Sequence, residues 1–270
     1  MHAVCLVNGR EGAALDPFDR GLQYGDGVFR TVRVANGMPR WWDEQLAKLS
    51  DDAARLRIAC PEASLWQADL AHLAGRLSGG VLKLLLTRGS GTRGYRPPED
   101  AIPTRILIHD PTPPLSDDWP AVGLTVRICD LRLGAQAHLA GIKHLNRLDN
   151  VLARAEWNTP DIHEGLLLDV TGHVISGVMS NLFLWLDGHL LTPRLDRCGV
   201  AGVARARLIR QARAAGLDVE EAEIGLNDVL AADEVMLSNS LIGLRRVAHL
   251  AERTWPEPVI SPQLHALLDA

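Results

Sequence analysis

The chain has 270 residues, 47% of them apolar, and a formal net charge of −5; that size and apolar content suit a globular protein with one large or two smaller cores, and without a basic tract no nucleic-acid partner is expected. No apolar run approaches the roughly 20 residues that cross a bilayer, and the opening residues lack the basic flank and long apolar core of a signal peptide, so a cytoplasmic protein with no membrane partner is expected. Cys5, Cys60, Cys129 and Cys198 are far apart and form no CxxC pair, which argues for reduced thiols and against a disulfide framework or a metal site.

Taken in chain order, strands are predicted over 3–7 and 28–34, followed by the turns Asn8-Gly9 and Asn36-Gly37; Asn-Gly between apolar runs is a strong hairpin signal. Residues 43–58 read as a helix with Leu46, Leu49, Ala53 and Leu56 on one face and Asp43 as its cap. A second helix is predicted over 64–77, a buried strand over 81–87, a Gly-rich loop over 88–95 and a strand over 105–109. The segment 110–120 carries prolines that fit neither a helix interior nor a central strand. It divides the chain into a smaller N-terminal α/β domain, 1–110, a Pro-rich linker, 111–120, and a larger C-terminal domain, 121–270. In the latter, strands are predicted over 124–129, 165–169, 173–175, 181–186 and 234–237, and helices over 147–156, 203–215 and 227–231, with Asn146 capping the first helix.

Among 28 basic residues only Lys48, Lys83 and Lys143 are lysines. Arginine stays protonated and forms no imine, whereas a lysine amine can lose its proton and act as nucleophile or base. In a chain that otherwise uses arginine, three lysines make a short list. Lys143 lies between a predicted strand and a predicted helix, and position alone leaves it open between a solvated helix start and a functional amine. Lys83, in an apolar strand, reads as a structural lysine that covers apolar surface with its stem. His144 points away from Lys143 if the segment is extended. Gly199-Val200-Ala201-Gly202 before a helix is either an ordinary turn or a phosphate site built on unpaired N–H groups. Ser238-Asn239-Ser240 offers further donors to an anion. Arg88, Arg93 and Tyr95 belong either to a mobile surface loop or to a carboxylate site. No HExxH, GxSxG or P-loop motif is present.

Taken together and in order, 19–29, the helix holding Lys48, 88–95, 138–148, Ser180-Asn181-Leu182-Phe183 and 199–205 resemble the fold-type IV pyridoxal phosphate enzymes. That family includes branched-chain and D-amino acid aminotransferases and aminodeoxychorismate lyases. The segments 133–134 with 138–148, and 88–95, are most similar to the lyase branch. The resemblance implies an α+β, two-domain, D-amino acid aminotransferase-like architecture with the active site between the domains, and a homodimer. It implies pyridoxal 5'-phosphate held as an imine by Lys143, and cleavage of 4-amino-4-deoxychorismate to 4-aminobenzoate and pyruvate in folate biosynthesis. The alternatives are a D-amino acid or branched-chain aminotransferase and a non-catalytic homologue with weakened cofactor binding.

For the cofactor the resemblance further implies Lys48, Gly202, Val203, Ala204 and Ser240 at the phosphate, with Asn181 and Ser176 also in the site. Arg93, Tyr24, Thr31 and Tyr95 are its substrate-binding residues. Two positions depart from the family. Lys48 replaces the usual arginine and meets phosphate as a point charge without the bidentate fork. Ser176, five residues before Asn181, replaces the glutamate that keeps the pyridine nitrogen protonated. A serine hydroxyl hydrogen-bonds that nitrogen without holding a proton there, which weakens the electron sink. An elimination driven by aromatisation tolerates this better than an amino-group exchange does.

Overall fold

The computed structural model describes residues 3–269; the first two and the last residue of the expected domains lie outside the described residues. The chain forms two compact units, Met1–Pro114 with Lys143–Asn146, and Leu115–Ile142 with Arg147–Ala270.

The first unit contains β1 (Val4–Val7), β2 (Arg10–Glu11), α1 (Arg20–Tyr24), β3 (Gly27–Ala35), β4 (Met38–Pro39), α2 (Trp42–Arg55), α3 (Ala63–His72), β5 (Gly79–Thr87) and β6 (Thr104–Asp110). Its sheet, in the order β2-β1-β6-β5-β3-β4, is antiparallel throughout. Both Asn-Gly pairs make the hairpin turns expected of them, each with its asparagine and glycine at positive φ. Along β3 the side chains alternate: Val28, Arg30, Val32 and Val34 are buried, while Phe29, Thr31 and Arg33 are half-buried. This period of two sorts one set onto the core face and leaves the other accessible. Helix α2 packs against β3 and buries Leu46, Leu49 and Ala53.

Asp43 does not cap α2. The cap position belongs to Trp41, which sits in the left-handed region at φ 55, and Asp43 falls in the first turn, where its charge faces the positive end of the helix. The helix predicted over 64–77 stops at His72 and continues only as a short 3-10 turn, Ala74–Arg76; Gly75 in that stretch weakens the helix. The short helix α1 carries too few residues to show a period. It is set instead by its ends, with the Asp19 carboxylate accepting from Gly21 N–H and Gly25 closing it at φ 65.

The second unit contains β7 (Leu124–Leu133), α4 (Leu148–Arg154), β8 (Glu164–Asp169), β9 (Val174–Gly177), β10 (Asn181–Leu186), β11 (His189–Pro193), α5 (Val203–Ala214), β12 (Val219–Ala222), α6 (Leu226–Ala231), β13 (Glu234–Asn239), β14 (Gly243–Leu250), β15 (Arg253–Thr254) and α7 (Ser261–Asp269). The sheet runs β12-β11-β10-β13-β14-β7-β8-β9, with β15 on β14. It is mixed: β7 is parallel to β8 and β14, and β11 to β12. Every residue of β8 is buried. Leu166, Leu168, Val174, Leu182, Leu184, Val235, Leu237 and Val247 meet in the core. Asn146 does not cap α4; Arg147 holds that position, and the Asn146 amide donates to Gly25 O at 3.2 Å.

One buried charge fixes the C-terminal helix. Glu234 Oε2 accepts from the N–H groups of Val259, Ile260 and Ser261 at 2.7–3.0 Å, at the start of α7. Arg246 Nε stands 3.5 Å from the other oxygen. Replacing Glu234 with alanine leaves these donors without an acceptor and is expected to cost about 3 kcal/mol, with Glu234→Gln costing less than half as much. Urea unfolding of the two variants checks the order.

Candidate active site

The four residues Lys143–Asn146 group with the first unit. Phe29 N–H donates to Lys143 O and Leu145 N–H to Gly27 O, each at 2.9 Å, and Val28 and His144 form an antiparallel bridge. The segment therefore lies along β3 at the end that β4 leaves open, because β4 pairs only with Val34 and Ala35. Opposed residues share a face, so His144 goes with Val28. Lys143 goes the other way, its Nζ 4.6 Å from the centre of the Phe29 ring. Lys83 Nζ lies 5.1 Å from the same ring, and Thr31 is opposite Lys83 in the β3–β5 register. Lys143 and Thr31 are half-buried and Lys83 is exposed.

Behind this face lies a buried charge cluster. Asp52 on α2 is fully buried and accepts from Arg30 Nη2, from Lys48 Nζ and, at 3.1 Å, from the backbone N–H of Lys143. Lys48 is thus committed to an ion pair one helical turn along α2. Burial first, then the Arg30 charge, pushes the Lys48 ammonium down to about 8, against the pull of Asp51. Arg30 is also shifted downward, chiefly by burial.

The Gly-rich loop is anchored from the same unit. Arg20 donates to the carbonyls of Gly94 and Tyr95 at 2.9 and 3.1 Å, and Tyr24 Oη accepts from Gly94 N–H at 3.1 Å. The rings of Tyr24 and Tyr95 meet edge to face at 5.5 Å, and Arg20 lies over Tyr24. Tyr95 is 86% exposed and Arg93 is exposed. Arg88 is not available for a carboxylate ligand. Its Nε and Nη2 donate to Asp26 at 2.8 and 3.0 Å, and it also holds the carbonyls of Leu56 and Arg57.

In the second unit, Ser176 lies buried in β9 and opposite Leu167 of β8. Asn181 uses its amide on the loop before α5: Nδ2 donates to Val200 O at 2.8 Å and Oδ1 accepts from Gly202 N–H at 3.2 Å. A Cβ at Gly202 would come 2.5 Å from Asn181 Oδ1, so a larger residue there would displace the Asn181 amide from this contact. Gly202 is the cap residue of α5, and no side chain caps that end. Val203 and Ala204 open the helix and are buried. Ser240 is half-buried in the turn after β13, whose shape is set by Asn239 Oδ1 accepting from Leu241 and Ile242 N–H. Ser238 Oγ is buried with no hydrogen-bond partner among the described residues. Glu164, at the start of β8, is fully buried. Burial pushes its carboxyl up, against donors from Gly165 N–H, Met179 N–H and Ser180 Oγ.

A family model for amino-transferase class IV matches residues 27–250. The chain belongs to the class IV aminotransferase family. It is 45% identical to a 4-amino-4-deoxychorismate lyase of Pseudomonas aeruginosa, with a TM-score of 0.91 over 98% of this chain and 97% of that one. It is 34% identical to an aminodeoxychorismate lyase of Vibrio harveyi over 250 residues, 91% of this chain and 90% of the relative. A putative branched-chain-amino-acid aminotransferase of Methanocaldococcus jannaschii is 32% identical over 233 residues, 84% of this chain and 80% of the relative. The resemblance to fold-type IV enzymes and the α+β fold read from the sequence are borne out. Among the described residues, no helix is long and apolar enough to cross a membrane, and no cluster of His, Cys, Asp or Glu is placed to hold a metal ion.

The structure thus groups Lys143, Lys48 and Thr31 around β3, and Tyr24, Arg93 and Tyr95 around the Gly-rich loop. In the second unit it links Asn181 to Gly202 at the start of α5. Sequence reasoning passed over Arg30, Asp52 and Glu164. Their signal is a charged residue at a buried position of an apolar pattern: Arg30 between Val28 and Val32, and Asp52 beside Leu49 and Ala53. The Asp26 pair has a pH signature. Burial alone raises its carboxyl, but Arg88 and Arg20 outweigh it and hold it below the usual range. A depressed carboxyl stabilises the fold above its unfolded value and loses that contribution as pH falls through the folded one. Asp26→Asn is expected to cost about 2 kcal/mol at neutral pH. Denaturation of both proteins from pH 7 to 2.5 should show the gap closing below about pH 4.

Proposed function

We propose that this chain is a pyridoxal phosphate-dependent lyase that converts 4-amino-4-deoxychorismate to 4-aminobenzoate and pyruvate. The observation that carries the choice of reaction is the 45% identity, over nearly the whole of both chains, to a lyase of that substrate; the family also holds aminotransferases, so membership alone does not choose. The donor set fits the cofactor. A half-buried lysine amine lies over an aromatic ring, a helix start without a side-chain cap opens at a glycine whose N–H is held by Asn181, and Ser176, which the resemblance makes the ring-nitrogen partner, is buried.

Pyridoxal phosphate, when bound, supplies an aldehyde for the substrate amine and a ring that withdraws electrons. On this reading Lys143 is the residue that would hold the cofactor through that aldehyde. Its freed amine then takes the proton from the substrate carbon that bears nitrogen, and the C–O bond to the enolpyruvyl group breaks as the ring becomes aromatic. The same ammonium returns a proton to the leaving enol, which becomes pyruvate. Gly202, Val203 and Ala204 at the start of α5 would hold the phosphate, with Ser240 and the charge of Lys48 as further contributors. Asn181 shapes that start by holding Gly202. Ser176 would offer the ring nitrogen a hydrogen bond without adding charge. Arg93, Tyr24, Thr31 and Tyr95 receive the substrate carboxylates. The reading takes the enzyme as a cytoplasmic homodimer working in folate biosynthesis.

Incubation with 4-amino-4-deoxychorismate is expected to release 4-aminobenzoate and pyruvate in equal amounts, and Lys143→Ala to lower the rate by about a thousandfold or more. An amino acid with 2-oxoglutarate should exchange little nitrogen; if that exchange is the faster reaction, the aminotransferase reading replaces this one. Ser176→Glu restores a charged partner for the ring nitrogen and is expected to raise the exchange relative to the elimination. Assaying both reactions on one preparation checks this, and an unchanged ratio removes Ser176 as the source of the bias.

A further inference from the structure

Asp52 is an expensive residue for its position. Its carboxylate is fully buried, which costs free energy unless donors replace water. It lies in the last turn of α2, where the helix end itself is negative. Its neighbours on that face are Leu49 and Ala53, so packing alone favours an apolar side chain. Neutralising Arg30 and Lys48 explains two of its contacts. It does not explain the third, in which Oδ2 accepts the backbone N–H of Lys143, 91 residues away, at 3.1 Å. The other backbone group of Lys143 is also taken, its carbonyl accepting from Phe29 N–H at 2.9 Å. Both ends of the Lys143 residue are thus held by α2 and β3, and the side chain leaves a fixed backbone to put Nζ over the Phe29 ring.

We propose that Asp52 is a positioning residue for Lys143, its buried carboxylate fixing the backbone from which the reactive amine projects. The inference rests on the proposed role of Lys143 as the reacting amine. The carboxylate–amide contact is charge-assisted, with its carboxylate fully buried, and such bonds are about twice as strong as neutral ones. A shift of about 1 Å in a reacting group can cost on the order of a hundredfold in rate, so an anchor of this kind has kinetic weight without touching substrate.

The test uses pyridoxal, which lacks the phosphate and so separates amine placement from phosphate binding. Lys143 Nζ adds to the aldehyde carbon, water leaves, and borohydride delivers hydride to the C=N carbon, which fixes a label that peptide mass mapping assigns to each lysine. Labelling of the full chain, freed of bound aldehyde, is followed from pH 7 to 11. The plateau rate reached at the alkaline end of that range reports placement alone.

Asp52→Leu by itself leaves Arg30 buried without its counter-charge, so the informative variant is Arg30→Met/Asp52→Leu, which removes the pair together. Its plateau rate at Lys143 is expected to fall about tenfold or more, with Lys83 labelling and the melting transition close to wild type. Arg30→Met/Asp52→Asn keeps an acceptor oxygen and should recover most of the loss. A wild-type plateau at Lys143 in the leucine double variant overturns the proposal, as does an asparagine variant no faster than the leucine one. Absence of any label on Lys143 in the wild-type chain overturns the functional reading itself, and is distinct from both.

Discussion

The pairing of the 143–145 segment with the edge of β3 is the constraint on which the site depends. Two hydrogen bonds and one bridge fix which way each side chain faces, because strand geometry sends alternate residues to opposite sides. A slip of one residue would put His144 over Phe29 and turn Lys143 toward the buried face with Val28 and Arg30. The register is held from several sides. Phe29 N–H and Asp52 grip Lys143, Gly27 O grips Leu145, and the Asn146 side chain reaches Gly25. Gly27 takes part because nothing larger fits: a Cβ there would come 2.5 Å from Leu86 O and 2.7 Å from the Leu145 side chain.

Around that edge, carboxylates organise the structure by gathering cations. Asp52 collects Arg30 and Lys48, and Asp26 collects Arg20 and Arg88. Each pair does more than cancel charge. Asp26 orients Arg20, whose remaining donors hold the Gly-rich loop at Gly94 and Tyr95. In the second unit the buried carboxyl groups of Glu164 and Glu234 work instead through backbone N–H groups, those of the Met179 turn and of the start of α7. A buried carboxylate is stable only with such donors, so each one marks a place where the backbone must not move.

How much of this was legible in the sequence follows from the range of each interaction. The period-two pattern of β3 and the apolar face of α2 are local, and both elements formed where the pattern put them. The scarcity of lysine reduced the candidates for a reactive amine to three, and the resemblance over 138–148 chose Lys143 among them. What the sequence concealed is contact between distant residues. Nothing near Asp52 announces a partner 91 residues on, and nothing near Arg88 announces Asp26, so Arg88 looked available to a ligand when it is fully engaged. Asn146 looked like a helix cap because its residue type suits one, yet its side chain found a carbonyl far away in sequence. The strands passed over have a related cause. β12 is Val-Glu-Glu-Ala, and β14 carries two arginines and a histidine. Their place in the sheet comes from neighbouring strands and not from their own pattern.

The measurement closest to the heart of this picture is borohydride reduction of the enzyme with pyridoxal phosphate bound, followed by digestion and mapping of the pyridoxyl label. The lysines in the chain are three, and each has a distinct setting: Lys48 in its ion pair, Lys83 exposed on β5, and Lys143 at the edge of β3. A single label on Lys143 is the expected result. A label on Lys48 or Lys83 instead, or none on any of them, contradicts it.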